Sequence, residues 1–118
     1  VSNLLYAADA FVLSSAWEGC PNAMLEALAH ATPTVATAVG GGPEYIRDGV
    51  TGYLAPPKNP SELGNRMQEM MRLDVKIREE MANCGRDLVR ERCGVEVVLD
   101  QWELLFETAL VRKATYVK

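Results

Sequence analysis

Two rhythms alternate along the first half of this chain and one takes over in the second. Ala10 to Ser14 (Ala-Phe-Val-Leu-Ser) is a continuous apolar run bounded by Asp9 and a serine pair, the pattern of a strand covered on both faces. After Trp17-Glu18-Gly19-Cys20, Pro21 stands where a first helical residue is expected, because its missing N–H has no intrahelical partner there. The spacing predicts a helix from Pro21 to Ala31, with Ala23, Met24, Ala27, Leu28 and Ala31 at helical intervals and small enough for close contact with a sheet. Thr32-Pro33 ends it. Thr34 to Thr37 reads as a second strand, Gly40-Gly41-Gly42 as a tight loop into a short helix opened by Pro43-Glu44, and Tyr53 to Ala55 as a third strand after the turn signals Asp48-Gly49 and Thr51-Gly52.

From residue 61 onward the period is helical throughout. Ser61 is the expected N-cap of a helix whose Leu63, Met67, Met70 and Met71 share one face, and methionines at this interval read as core. Asp74 caps a second helix with Ile77, Met81, Cys84 and Leu88 inward, bent or interrupted near Gly85 and broken at Cys93-Gly94. Val95, Val98, Leu99, Trp102, Leu105, Phe106, Ala109 and Leu110 then give a long amphipathic last helix. Strand, helix, strand, helix, strand at these intervals implies right-handed crossovers and a parallel sheet. The expected fold class is therefore α/β, a partial Rossmann-like sheet of about three strands followed by helices.

Charge divides the chain at the same place. Of 118 residues, 12 are basic and 16 acidic, for a net charge of −4, yet residues 1–60 hold only 2 basic and 5 acidic groups. That half also holds all 6 prolines and 6 of the 9 glycines, so a buried, loop-punctuated half precedes a solvated helical one. The expected organisation is one partial domain, residues 1–60 carrying the site and 61–118 the helices. Slight acidity leaves no electrostatic footprint for nucleic acid. No apolar run reaches the ~18 residues of a membrane span. Cys20, Cys84 and Cys93 form no CxxC pair and His30 is the only histidine, so no metal site is expected and reduced, cytosolic thiols are the simplest reading.

In an open parallel sheet, ligands bind outside the carboxyl ends of the strands, here the loops Ser14 to Cys20, Ala38 to Gly42 and Pro56 to Lys58. The first places Glu18 just ahead of a helix N-terminus, where unspent amides favour an anion such as a phosphate. Glu18 can take hydroxyl groups of a ligand while the amides of Asn22 and Ala23 face its phosphate; Glu26 shares a helix face with Asn22. The plain alternatives are a solvated loop acid or local cap for Glu18 and a helix-surface carboxylate for Glu26. His30 is expected to interact with the end of its own helix. The glycine run does not match GxGxxG and stands open between a structural turn and a phosphate cradle. Cys20, near a helix N-terminus, lacks a credible base.

An ordered set of segments narrows these alternatives. Ala8-Asp9-Ala10-Phe11-Val12-Leu13-Ser14-Ser15, Trp17-Glu18-Gly19-Cys20-Pro21-Asn22, Leu25-Glu26-Ala27-Leu28-Ala29, Pro33-Thr34-Val35-Ala36-Thr37, Val39-Gly40-Gly41-Gly42-Pro43-Glu44 and Asp48-Gly49-Val50-Thr51-Gly52-Tyr53-Leu54 closely resemble the GT-B glycosyltransferases of family 4, the glycosyl transferases group 1. The resemblance covers nearly the whole chain. It implies transfer of a sugar from a nucleotide-sugar donor with retention of configuration and without a cofactor. Glu18 matches the acid that contacts hydroxyls of the donor sugar, Glu26 the acid that holds the ribose diol, and backbone amides from Gly19 through Cys20 and Asn22 to Ala23 would meet sugar and phosphates.

Departures from the family pattern are Ala31, where glycine is usual, and Cys93-Gly94-Val95, both read as packing changes. The resemblance reaches only the later part of the donor-binding domain. It implies that the acceptor domain, the earlier half of the donor domain and its Arg/Lys pair lie outside this chain; Arg47 and Lys58 do not match that pair. The fragment is then expected to be inactive alone, with a donor affinity lowered very roughly 10²- to 10⁴-fold by two lost charge-assisted contacts. The resemblance places the whole enzyme in the cytoplasm or on the inner face of a membrane. The other readings are a stand-alone nucleotide-sugar-binding or partner-docking module, and a fragment dimer formed through an exposed sheet edge and apolar surface.

Overall fold

A three-stranded parallel sheet in chain order sits between two layers of helices. The computed structural model describes residues 1–116. Its elements are α1 (Ser2–Ala7), β1 (Phe11–Leu13), α2 (Asn22–Ala29), β2 (Thr34–Thr37), α3 (Gly42–Tyr45), β3 (Tyr53–Ala55), α4 (Pro60–Arg72), α5 (Val75–Cys93) and α6 (Val95–Tyr116). The α/β class and all three strands are as the apolar runs predict. Short α1, which no pattern announces, is held through buried Leu5 and by Thr32 Oγ1, which donates to the Leu5 carbonyl at 3.0 Å.

Register divides the core. Leu13, Ala36 and Leu54 stand in one row across the sheet, and Val12, Val35 and Tyr53 in the next. Because side chains alternate faces along a strand, the two rows face opposite layers. The first meets Met24 and Leu28 of α2 and Val89 of α5; the second meets Met70 of α4 and Met81 of α5. Helix α5 therefore serves both clusters, with Met81 in one and Val89 in the other. Full burial of a side chain such as Leu28 contributes about 1.5–3 kcal/mol.

Helix boundaries correct several expectations. Pro21 is the N-cap of α2 rather than its first residue, because its carbonyl already accepts from the amides of Met24 and Leu25 while its own ψ of 89° is not helical. Helix α2 ends at Ala29; Thr32 N–H then donates to the Ala27 carbonyl at 2.9 Å, and Ala31 takes φ +53°. That is a Schellman stop with its left-handed residue at 31. The alanine there is thus a backbone departure, not a packing change. Asn59, not Ser61, caps α4, its Oδ1 accepting from Glu62 N–H at 3.0 Å with Pro60 behind it as first helical residue. Asp74 caps α5 as expected, accepting from Lys76 N–H at 2.9 Å.

Burial corrects others. Met70 is fully buried, but Met67 and Met71 are exposed and line an open groove of about 290 Å³ with Asp9, Ala10, Val12 and Val35. Ile77 and Cys84 also face solvent, as does Ala23. Along α6 every residue expected to lie inward is exposed, from Val98 at 37% to Val95 at 71%, because the helix touches the rest of the fold mainly through α5. Periodicity identified a face on each of these helices; for α6 the apolar residues named above are exposed among the described residues.

Gly85 does not bend α5, which is continuous from Val75 to Cys93. A Cβ there would lie 2.8 Å from Leu28 Cδ2 and 3.0 Å from the Thr51 carbonyl oxygen, so the glycine lets α5 approach α2 and the turn into β3. Leu28 is fully buried and has nowhere to retreat. Gly85→Ala is accordingly expected to destabilise by about 1–2 kcal/mol, although the same change in an open helix stabilises by about 0.5–1 kcal/mol; urea unfolding reads the sign. Ala31→Gly should instead stabilise by about 0.5–1 kcal/mol by relieving the left-handed alanine.

Candidate functional site

Parallel strands put the three loops 14–21, 38–41 and 56–59 at one edge of the sheet, beyond the carboxyl ends. The first loop is fastened to the second. Thr37 Oγ1, at the last residue of β2, donates to the Ser15 carbonyl at 2.6 Å, and Ser15 Oγ donates to Glu18 Oε1 at 2.6 Å. Gly41 N–H donates to the Gly19 carbonyl at 2.9 Å. Gly40 has φ +51°, and a Cβ on it would overlap the carbonyl oxygens of Glu18 and Gly19. The glycine run is therefore a structural turn at residues 40–42: the Gly41 amide is spent on Gly19 and the Gly42 amide on Val39.

The nominated residues form one continuous surface segment. Glu18 is half-buried, while Gly19, Cys20, Asn22, Ala23 and Glu26 are exposed and the intervening Met24 faces the core. The amides of Met24 and Leu25 go to the Pro21 carbonyl, and Pro21 has none. Asn22 and Ala23 are left as the first amides of α2, outside its internal ladder. Asn22 and Glu26 are one turn apart on the solvent side. His30 bonds through Nδ1 to the Glu26 carbonyl at 2.8 Å, as its position at the helix end predicts, and its ring meets Tyr6 edge-on.

The two cations of the first half separate. Lys58, at φ +58°, lies with Ser14, Thr37, Asn59, Pro60 and Leu63 around a cavity of about 170 Å³ at the strand ends. Arg47 lies in the turn that enters β3, at the strand's other end, where its N–H donates to Thr51 Oγ1 at 2.8 Å. Among the described residues, no three His, Cys, Asp or Glu side chains gather as a metal site. Behind the glycine turn, Tyr45 packs near Gly41, and its hydroxyl accepts from Cys93 Sγ at 3.4 Å. Toward an ionised Cys93 the phenol O–H is the donor, and that hydrogen bond, the Cys93 charge and burial push the phenol from 10.0 up to about 12.

The family model for glycosyl transferases group 1 matches residues 1–73. The chain belongs to this family. All three strands, their three carboxyl-end loops and all six nominated site residues of this group 1 chain lie within the matched segment. It is 30% identical over 110 residues to the N-acetyl-alpha-D-glucosaminyl L-malate synthase of Bacillus anthracis, covering 93% of this chain and 29% of that protein. It is 40% identical over 74 residues to the D-inositol 3-phosphate glycosyltransferase of Paenarthrobacter aurescens, covering 63% and 18%. Its fold superposes with a TM-score of 0.86 on sucrose-phosphate synthase from Thermosynechococcus elongatus, at 28% identity over 92% of this chain and 27% of the other. Anabaena Alr3699/HepE in complex with UDP-glucose superposes at 0.81 and 24% identity, covering 89% and 29%. The architecture is that of part of a GT-B glycosyltransferase, and the chain spans less than a third of each of these proteins.

Sequence reasoning missed Ser15, Thr37 and the reach of Gly40 in this group 1 chain. The threonine closing Thr-Val-Ala-Thr and the first glycine of the run were visible, but their partners lie 22 residues away for Thr37 and in the Glu18–Gly19 backbone for Gly40. Gly40→Ala is expected to cost about 1–3 kcal/mol, from the left-handed backbone and the overlap together. Amide exchange should accelerate at Gly41, whose N–H is held by the Gly19 carbonyl, before it does in the strands.

Tyr45 provides a pH test. Its folded pKa is raised, so the stability it contributes is present in full below pH 10.0, is lost as the pH climbs toward about 12, and leaves a steeper alkaline loss than in Tyr45→Phe. In Cys93→Ala, ultraviolet titration should find the phenol back toward 10.0.

Proposed function

We propose that this chain is the donor-binding part of a family 4, retaining GT-B glycosyltransferase that moves a hexose-type sugar from a nucleotide-diphospho-sugar to an acceptor. The observation that carries the reading is the β1–α2 turn. It presents a half-buried carboxylate, Glu18, immediately before a helix whose first amides, Asn22 and Ala23, are outside the helical ladder. Carboxylates accept from vicinal hydroxyls, and helix N-termini accept phosphate. Glu18 contacts the donor sugar, Glu26 takes the ribose diol on the same exposed helix face as Asn22, and the turn Gly19-Cys20 with the α2 amides takes sugar and diphosphate. The UDP-glucose complex of the similarly folded Alr3699/HepE supports this choice of ligand class. The reaction so read needs no metal or cofactor.

The acceptor domain and the cations that neutralise the leaving diphosphate belong, in this reading, to the rest of the enzyme, consistent with the chain spanning 29% of the Bacillus anthracis relative. The chain by itself then transfers nothing. The three free thiols, Cys20, Cys84 and Cys93, suit a cytoplasmic protein, and the whole enzyme can work at the inner face of a membrane. A second reading, a module that docks onto a partner carrying the remaining site, is favoured by the uncovered apolar surface of α6. The same surface suits a dimer, which light scattering separates by mass.

In the whole enzyme, Glu26→Ala is expected to weaken donor binding by roughly 10- to 150-fold, the equivalent of losing one charge-assisted hydrogen bond of about 1.5–3 kcal/mol. Calorimetric titration checks it, and an unchanged affinity removes Glu26 from the site.

A further inference from the structure

Glu18 is held from both directions by the end of the central strand. Ser15 Oγ donates to its Oε1 at 2.6 Å. Ser15 is itself fixed by Thr37 Oγ1, which donates to the Ser15 carbonyl at 2.6 Å. Thr37 is buried at the last position of β2, whose neighbours pair with it on both sides. On the far side of Glu18, Gly41 N–H holds the Gly19 carbonyl at 2.9 Å and Gly40 backs directly onto the Glu18 and Gly19 carbonyls. Every one of these restraints comes from the loop itself or from residues 37–41, and none from α2.

We infer that Thr37 and Ser15 are positioning residues that pre-set the Glu18 carboxylate for the hydroxyl groups of a sugar. A carboxylate carries about four acceptor positions, and one is engaged by Ser15, so the others remain for a pair of ligand hydroxyls. A glutamate otherwise samples many rotamers, and fixing one in advance is worth roughly a factor of two to ten in affinity. The rigid strand end is the right place from which to fix it, since β2 is the middle strand and moves with the whole sheet. The inference rests on the reading of Glu18 as the sugar-contacting acid.

The test compares Ser15→Ala, Ser15→Thr, Thr37→Val and Glu18→Ala in the whole enzyme, assayed with UDP-glucose and with GDP-mannose. Ser15→Ala is expected to raise the donor KM roughly two- to tenfold, leaving the acceptor KM and the thermal midpoint unchanged, and Ser15→Thr, which keeps the hydroxyl, restores it. Amide exchange at Gly41, whose N–H is bonded to the Gly19 carbonyl, read without donor, should accelerate in Ser15→Ala and Thr37→Val and remain slow in Ser15→Thr. A donor KM and exchange pattern untouched by Ser15→Ala, while Glu18→Ala raises the donor KM, overturns the positioning role alone. Equal loss on donor and acceptor with a lowered midpoint overturns it too, since that marks general damage. A donor KM unmoved by Glu18→Ala overturns the reading of Glu18 and the inference with it.

Discussion

No side chain fits between residue 40 and the backbone carbonyls of Glu18 and Gly19, and the arrangement of the site follows from that contact. Two loops that leave adjacent parallel strands are pressed together, backbone to backbone, and then stitched by the Gly41 amide and the Thr37 hydroxyl. The turn ahead of α2 is consequently set by the sheet. Rows of Leu13, Ala36 and Leu54 on one face and Val12, Val35 and Tyr53 on the other fix the strand register, and the register fixes where Thr37 and Gly40 stand. The packing of α2 onto Ala36 and of α5 onto α2 then locks the helix that supplies the amides.

Electrostatics at the strand ends are sparse. A nucleotide diphosphate brings concentrated negative charge, and catalysis of its departure depends on cations aimed where that charge develops. In residues 1–60 only Lys58 lies at the strand ends, beside the small cavity with Ser14 and Thr37, while Arg47 is at the far end of β3. The arrangement provides acceptors for hydroxyls and amides for phosphate, but little side-chain charge.

The strands and the candidate site were legible because both depend on short-range signals. Thr34 to Thr37 and Tyr53 to Ala55 appear where their apolar runs end, and Glu18, Asn22 and Glu26 are placed by one turn and one helical repeat. What was not legible needed long-range contact. Gly85 reads as a helix breaker until Leu28 and Thr51 are found against it, and Ala31 reads as packing until its left-handed φ is seen. Ser15 looked like one of a polar pair, whereas its hydroxyl orients Glu18. Met67, Met71 and the apolar residues of α6 show the limit of periodicity: it finds a face but not what covers it.

The central claim is that the β1–α2 turn receives a nucleotide sugar, and amide chemical-shift mapping of this chain during titration with UDP-glucose and GDP-mannose tests it most directly. The account predicts that, even with weak binding, the shifts concentrate at Gly19, Cys20, Asn22 and Ala23 and extend along α2 to Glu26. Shifts confined to another surface, such as the cavity between Ala29, Arg86 and Arg90, or none under saturating donor, would contradict it.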